Sequence, residues 1–428
     1  MIKEIEILGL YGLYDYRISF SDRKPVKIIT GPNGYGKTTI LKVINHLIRR
    51  DFWYFQILYF KMLRVRFSDG LQILIAKGGS FEFDIRKEDE VKYAELLPIA
   101  VVFYDKSNSR HETVLSKSYF LRTVRRFAIP RGAYEEISSV DVEERLDQGY
   151  SAKEDDALPS TLLPLVQYLA GKNAIYVREQ RIQYDTIEDR FGRRMIRHYN
   201  IEKIAEELKQ LYNANQSLFA NKCQEMDSKF VGKLMRKDND GYNKEEYEGR
   251  LRELQSIVEG YHAFGLAKDF SIDYSYKEEY KKVLSQFIDD VYEKLRVYFE
   301  FYLSLYYFNK FISEKSLSNK EMHLDMAEGL KIVDKNKQEV PLRRLSSGEQ
   351  NIIILYFYLM FKTKPGSLLL VDEPENSIHA AWQESMLADY KEIAKTFGIQ
   401  VIFSSHSLEF INGDWDNSIN LFQTNSHG

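Results

Sequence analysis

The run Gly31-Pro32-Asn33-Gly34-Tyr35-Gly36-Lys37-Thr38 has the spacing G-x4-G-K-T, between an apolar run ending at Thr30 and an amphipathic run starting at Thr38. The chemistry it suits is phosphate binding. Glycines let backbone N–H groups curl around phosphate oxygens, and a helix N-terminus adds partial positive charge. Lys37 would reach β- and γ-phosphates, and the Thr38 hydroxyl would ligate Mg2+. Further on, Leu368-Leu369-Leu370-Val371 leads into Asp372-Glu373. Four apolar residues suit a central strand, and open α/β sheets place ligands at its carboxyl edge. Asp372 would hold Mg2+ through its water shell. Glu373 points elsewhere and would polarise an attacking water. Ser346-Ser347-Gly348-Glu349 stands before a helical run. A hydroxyl, a glycine and free N–H groups at a helix start make an anion site. The same spacing is a capping box, and both can hold at once. Phe403-Ser404-Ser405-His406 closes the last apolar run. A histidine there could contact a γ-phosphate and sense its loss, although a lone histidine at a strand end is usually structural or solvated.

These residues need strands and helices to converge them. Residues 2–9 and 15–20 alternate apolar and polar, and Val26–Thr30 reads as a buried strand. Thr38–Arg50 has helical spacing, with Ile40, Leu41, Ile44, Leu47 and Ile48 on one side. Residues 62–67, 71–76 and 81–85 read as short strands split by Asp69-Gly70 and Gly78-Gly79. Between about 105 and 170 the pattern weakens into a basic cluster (Arg122, Arg125, Arg126, Arg131) and an acidic one (Asp141 to Asp147). Ala174–Val177 is another strand. Residues 200–312 read as long helices, with an antiparallel pair turning near Asp238-Asn239-Asp240-Gly241. Strands are expected at 322–326, 330–333, 367–371 and 400–403, and helices at 348–361 and 380–396. The implied fold class is α/β, a nucleotide-binding domain interrupted by a helical insertion. Its parts are an N-terminal lobe (1–198), the insertion (199–320) and a C-terminal lobe (321–428).

The four motifs in this order resemble the ATP-binding cassette (ABC-type) P-loop ATPases. Gly31–Thr38 is similar to Walker A, Leu345–Gln350 to the signature motif, Asp372-Glu373 to Walker B with its catalytic glutamate, and His406 to the switch histidine. Asp372-Glu-Pro-Glu-Asn-Ser-Ile-His379 with Trp382-Gln383, and the tail Gly413–Leu421, resemble the soluble SMC- and OLD-like AAA ATPases of the AAA_15 and AAA_21 types. Ile175–Arg181 resembles the strand leading to that branch's Q-loop, making Gln180 a contact for Mg2+ and water. The resemblance implies Gly31, Asn33, Gly34, Gly36, Lys37, Thr38 and Thr39 around ATP, with Thr38, Gln180 and Asp372 toward Mg2+. It implies Glu373, His406 and Gln180 in catalysis. It also implies ATP-sandwich dimers, in which Ser346 and Gly348 of one copy cap the ATP of the other. Ser347 replaces a signature glycine, and His379 stands where transporter-like relatives often carry aspartate. Tyr11, Tyr14 and Tyr16 lie where an adenine would stack, and each equally suits ordinary packing.

OLD-type nucleases carry a Toprim domain after the ATPase, whereas 56 residues follow Asp372 here (428 minus 372), and no HNH-like cluster stands out. The expectation is therefore an ATPase acting with a separate nuclease of HNH or Toprim type. In this it resembles the ATPase subunits of the prokaryotic anti-phage systems Septu (PtuA) and PARIS (AriA). A DNA-repair ATPase of SMC type and a low-turnover ATP-dependent scaffold are the alternatives. A transporter motor ranks behind them.

Composition narrows the field. Sixty basic against 63 acidic residues give a net charge of −3, so any nucleic-acid surface must be local. One cysteine, Cys223, excludes an internal disulfide framework and a multi-thiolate zinc site. The longest clean apolar run, Ile352–Phe361, is about half of a membrane span. With no signal-peptide pattern at Met1–Ile7, the expectation is a cytoplasmic protein with no membrane contact. Arg178, Arg181, Arg190, Arg193, Arg194, Arg197 and His198 could contact DNA phosphates, but interleaved Glu179, Asp185, Glu188 and Asp189 equally suit a salt-bridged helix. The aromatic run Val297–Phe311 fits helix–helix core better than a base-stacking platform.

Overall fold

The computed structural model describes residues 1–20, 24–77, 99–105, 107–115, 159–179, 181–184, 187–188, 194–195, 198–235, 240–268, 274–315, 317, 320–325 and 327–424. The strand expected at 81–85, the clusters at 122–131 and 141–147, and Gln180 lie outside these residues. The chain divides into two compact units, 1–179 with 362–428, and 180–361.

The first unit contains two sheets. Strands β1 (Ile2–Leu10), β2 (Tyr14–Ser19), β4 (Met62–Phe67), β5 (Gln72–Lys77), β6 (Ile99–Tyr104) and β7 (Arg110–Leu115) form an antiparallel sheet in the order β2-β1-β4-β5-β6-β7. Alternation sets its faces: Ile5 and Ile7 are buried, while Glu4 and Glu6 point the other way and meet Arg66 and Arg64 at 2.8 and 2.6 Å. Sequence reasoning misses β6, β7 and the helix Leu163–Ala170.

The second sheet is parallel throughout and carries the candidate site. Strands β3 (Val26–Thr30), β8 (Ala174–Val177), β9 (Leu368–Asp372), β10 (Gln400–Ser404) and β11 (Ser418–Asn420) run in the order β11-β3-β10-β9-β8. Every residue of β3, β9 and β10 is buried, as expected of a parallel sheet covered on both faces. The helix Lys37–Ile48 is buried more fully than the one-sided reading implied. A single apolar cluster runs from the antiparallel sheet (Ile5, Val65, Ile75) through Ile40, Ile44 and Leu47 to the parallel sheet (Ile29, Leu370, Ile402). The helix following the phosphate loop therefore sits inside the core of this unit.

In the second unit the helix Asn200–Leu234 packs chiefly on Lys281–Leu295, rather than on Lys244–His262, the next helix in the described chain. Ion pairs Lys233–Asp290 (2.6 Å) and Lys294–Asp227 (2.7 Å) fix that contact. Lys244–His262 starts at an Asn243–Glu246 capping box and packs on Lys281–Leu295, with the Tyr261 hydroxyl donating to the Leu295 carbonyl at 3.1 Å. The aromatic run forms helix Phe299–Glu314 and packs as core. Phe301 meets Tyr212 edge-on at 5.0 Å, and Phe311 meets Tyr356 at 5.8 Å. The stretch beside Gln180 contains no helix among the described residues. Two-residue strands pair instead, 187–188 with 194–195 and 183–184 with 198–199. Arg190, Arg193 and Arg197 lie outside the described residues. Among those described, no helix is long and apolar enough to cross a membrane.

Candidate functional site

Strand register brings the chemistry to one edge. Asp372 of β9 pairs with Ser404 of β10, and Ser404 pairs with Ile29 of β3. The carboxyl ends of three parallel strands thus lie side by side, the position where such sheets bind ligands.

The phosphate loop leaves β3 through glycines that no other residue would replace without strain. Gly31, Gly34 and Gly36 have φ of 148°, 87° and 79°. A Cβ on Gly36 would also lie 3.1 Å from Leu10 Cδ2. Gly36 is the N-cap of Lys37–Ile48, with no side-chain cap and no acidic residue in the first turn. That leaves an electropositive helix end for an anion. The Lys37 ammonium folds back on the loop, donating to the carbonyls of Gly31 (2.9 Å) and Pro32 (3.3 Å) and to Asn33 Oδ1 (3.5 Å). Thr39 Oγ1 meets the Tyr11 hydroxyl at 2.6 Å.

Asp372 is 3% exposed and is surrounded by hydroxyls. Thr38 Oγ1 donates to Oδ1 at 3.0 Å, the Tyr176 hydroxyl donates to Oδ2 at 3.0 Å, and the Ser404 hydroxyl also donates to Oδ1. Tyr176 and Ser404 are contacts that sequence reasoning missed. Ser404 lies in the last motif, and it reaches Asp372 only through the pairing of β9 with β10. The facing Thr38 hydroxyl and Asp372 carboxylate are hard oxygen donors of the kind Mg2+ takes alongside phosphate and water. The donor set therefore fits that ion.

Glu373 follows with φ of 45°, a left-handed conformation that costs a non-glycine residue about 1–2 kcal/mol. Its N–H is held by the Ser404 carbonyl at 3.1 Å. This turn aims its carboxylate away from that of Asp372 and toward His406, whose Nδ1 lies 3.5 Å from Glu373 Oε1. Burial pushes the Glu373 carboxyl above the usual glutamate range, Glu179 adds to this, and His406 opposes it. Glu179 is also bonded by Asn376 Nδ2 at 2.9 Å. His379 is the N-cap of helix Ala380–Phe397, its Nδ1 accepting from the Ala381 N–H at 3.2 Å. An aspartate would serve the same cap, which explains why histidine can replace it locally.

Of the three tyrosines in the expected adenine segment, Tyr16 is 1% exposed and donates to the Tyr35 carbonyl, so it is a packing residue. Tyr14 rests on Tyr35 at 5.2 Å, and Tyr35 on Phe422 at 5.9 Å, an aromatic row beside the phosphate loop. Tyr35 and Phe422 are absent from the sequence expectation because they come from the loop itself and the far C-terminal tail.

Ser346 and Gly348 belong to the second unit. The capping box read from the sequence is present: Glu349 Oε2 accepts from the Ser346 N–H at 2.8 Å, and Ser346 Oγ accepts from the Glu349 N–H at 3.3 Å. Ser346 stays exposed, while Gly348 is buried. Glu349 is 1% exposed and paired with Lys320 at 2.7 Å. Burial would raise its carboxyl, but Lys320 and the Ser346 donors outweigh that and hold it below the usual range.

Comparison with known proteins gives the following. Over 100 residues, 23% of this chain and 26% of the relative, the sequence is 30% identical to the Fe(3+) ions import ATP-binding protein FbpC of Fusobacterium nucleatum subsp. nucleatum. The chain thus spans about a quarter of the length of this curated relative. Among solved structures, it aligns with the Smc head domain with an extended coiled coil bound to the C-terminal domain of ScpA from Pyrococcus furiosus, at 16% identity and a TM-score of 0.38, over 98% of this chain and 92% of that one. It aligns with the SMC head domain from Thermotoga maritima at 13% identity and a TM-score of 0.32, over 96% and 90%. At such scores the assignment rests instead on a family model, AAA ATPase domain, which matches residues 1–411. With its phosphate loop, acidic strand end and parallel sheet, and with this match over nearly its whole length, the chain belongs to the AAA_15 family of AAA ATPase domains.

Proposed function

We propose that this ATPase works as an ATP-driven switch controlling a separate effector nuclease in a prokaryotic anti-phage complex. The observation that carries the ATP-hydrolysis part is the Asp372 cluster. A buried carboxylate, bonded by the Thr38 hydroxyl of the phosphate loop, stands beside a second carboxylate aimed elsewhere. Triphosphate would bind the N–H groups of the loop and the start of helix Lys37–Ile48. The Lys37 ammonium would exchange its loop carbonyls for β- and γ-phosphate oxygens. Thr38, Asp372 and, by resemblance, Gln180 would hold Mg2+, which supplies charge neutralisation on the phosphates. Glu373 would accept the proton of the attacking water, and its raised carboxyl pKa suits that role. The water oxygen bonds to γ-phosphorus as the bond to the β–γ bridging oxygen breaks, giving ADP and phosphate. His406 would bond the γ-phosphate and register its departure.

The finer reading rests on the motif resemblance. Residues 1–198 and 321–428 would be the two lobes of the nucleotide-binding machinery, with 199–320 as the moving insertion. Two copies would sandwich two ATP molecules, with the exposed Ser346 and the buried Gly348 behind it in one copy capping the ATP held by the other, and larger homo-oligomers would be built from that dimer. The effector would be an HNH or Toprim nuclease, and DNA a further contact. The test is a native pull-down from the chain's own operon with Glu373→Gln as an ATP trap. A stoichiometric nuclease supports the proposal. Recovery alone, with DNA only, or with membrane permease subunits contradicts it.

A further inference from the structure

Glu375 lies two residues past the proposed base and is 7% exposed, yet the ATPase reading gives it no role. Its Oε1 accepts from the Ser405 hydroxyl at 2.7 Å, the His406 N–H at 3.1 Å and the Ser407 N–H at 3.3 Å. Three consecutive residues around the switch histidine thus converge on one carboxylate oxygen. Its Oε2 is buried with no hydrogen-bond partner among the described residues. A second link runs parallel to the first. Gln383 donates to the Ile378 carbonyl at 2.7 Å and accepts from the Ser407 hydroxyl at 2.6 Å. The imidazole of His406 is itself 55% exposed, with the carboxylates of Glu373 and Glu375 3.5 and 4.0 Å from its Nδ1. Its placement is therefore set through its backbone, and that backbone is gripped by Glu375. Charged acceptors make the stronger hydrogen bonds, and several N–H groups on one oxygen fix direction as well as distance.

We propose that Glu375 is the positioning residue for His406, holding the histidine in line with the γ-phosphate and tying it to the segment 373–379. The proposal rests on the reading of His406 as the phosphate-sensing group. Displacing a catalytic group by about 1 Å costs roughly 10²-fold in rate. Side-chain length should therefore matter more than charge. Glutamine presents one acceptor oxygen at the same reach, whereas aspartate keeps the charge but withdraws it by one methylene.

The test compares Glu375→Gln, Glu375→Asp, Glu375→Ala, His406→Ala and the Glu375→Ala/His406→Ala double variant by single-turnover ATP hydrolysis, nucleotide titration and hydrogen exchange of the peptide spanning 404–411. The expected result is a roughly 10²-fold rate loss for Asp and Ala, with ATP affinity kept within about threefold. Gln should stay within about threefold of wild type. The double variant should be no slower than His406→Ala, and exchange at His406 and Ser407 should rise in Asp and Ala. If Ala does not fold, Asp carries the comparison. Multiplying losses in the double variant, wild-type rates in a folded Asp variant, or unchanged exchange at 404–411 would overturn the positioning role and leave the ATPase reading intact. A wild-type rate in His406→Ala would overturn both this proposal and the sensor reading.

Discussion

Replacing Lys37 by alanine should separate nucleotide binding from folding. In the described structure the ammonium makes bonds of 2.9 and 3.3 Å to loop carbonyls and a longer one to Asn33. Each is a hydrogen bond from a charged donor, worth about 1.5–3 kcal/mol, and phosphate oxygens would take their place. Because binding exchanges loop bonds for phosphate bonds, the net loss on truncation is the surplus of the second set over the first. Two contacts to anionic oxygens should exceed two to neutral carbonyls by about 2–4 kcal/mol in total. At about 1.4 kcal/mol per factor of ten, ATP affinity should fall roughly 30- to 10³-fold. Truncation also removes these loop bonds from the nucleotide-free protein, so the unfolding midpoint should fall while the protein still folds. The assay is equilibrium titration with a fluorescent ATP analogue, accompanied by thermal unfolding without nucleotide. A folded Lys37→Ala protein that binds ATP within threefold of wild type would refute the phosphate-loop reasoning.

Other outcomes follow from the same structure. Ile44→Ala, in the helix joining both sheets, should cost about 2–5 kcal/mol of stability and be visible as a lower unfolding midpoint. Ser404→Ala and Tyr176→Phe each remove one donor to Asp372 and should weaken Mg2+-dependent ATP binding about 5- to 30-fold, read as a shifted Mg2+ titration midpoint. Lys320→Met leaves Glu349 buried without its cation and should cost about 3 kcal/mol at neutral pH, the low end for a buried pair because Lys320 is itself partly exposed. The carboxyl of Glu349 is held below the ordinary glutamate value of 4.5, so its contribution is present above pH 4.5 and is lost as pH falls through the lower folded value. Chemical denaturation against pH should therefore show the gap between wild type and Lys320→Met closing below pH 4.5, and a constant gap would contradict the assignment.

Much of the site was legible because it is local in sequence. The glycines at 31, 34 and 36 all take the positive φ that their spacing suggests, and the apolar run Leu368–Val371 lies in a buried strand, as its length and flanks suggest. The capping box at Ser346–Glu349 is equally local. Contacts across the sheet were not legible. Tyr176 and Ser404 reach Asp372 only because β8, β9 and β10 are neighbours, and no single segment records that order. Glu375 was visible in the run 372–379, but its partners lie some thirty residues away. The helix partnering in 200–314 misled for a similar reason. A turn signal at 238–241 suggests pairing of flanking helices, yet charges at Asp227, Lys233, Asp290 and Lys294 tie the first helix to the third. Strand β6, with five apolar residues at its start, shows the opposite failure, a strong local pattern hidden beside a weak stretch.

The proposed hydrolysis stands or falls with Glu373 as the base that activates water. The most direct measurement is phosphate release under single-turnover conditions by wild type and Glu373→Gln, with ATP binding measured on the same preparations. Glu373→Gln should bind ATP as tightly as wild type and release phosphate at least about 10²-fold more slowly. Equal phosphate release by the two proteins would contradict it.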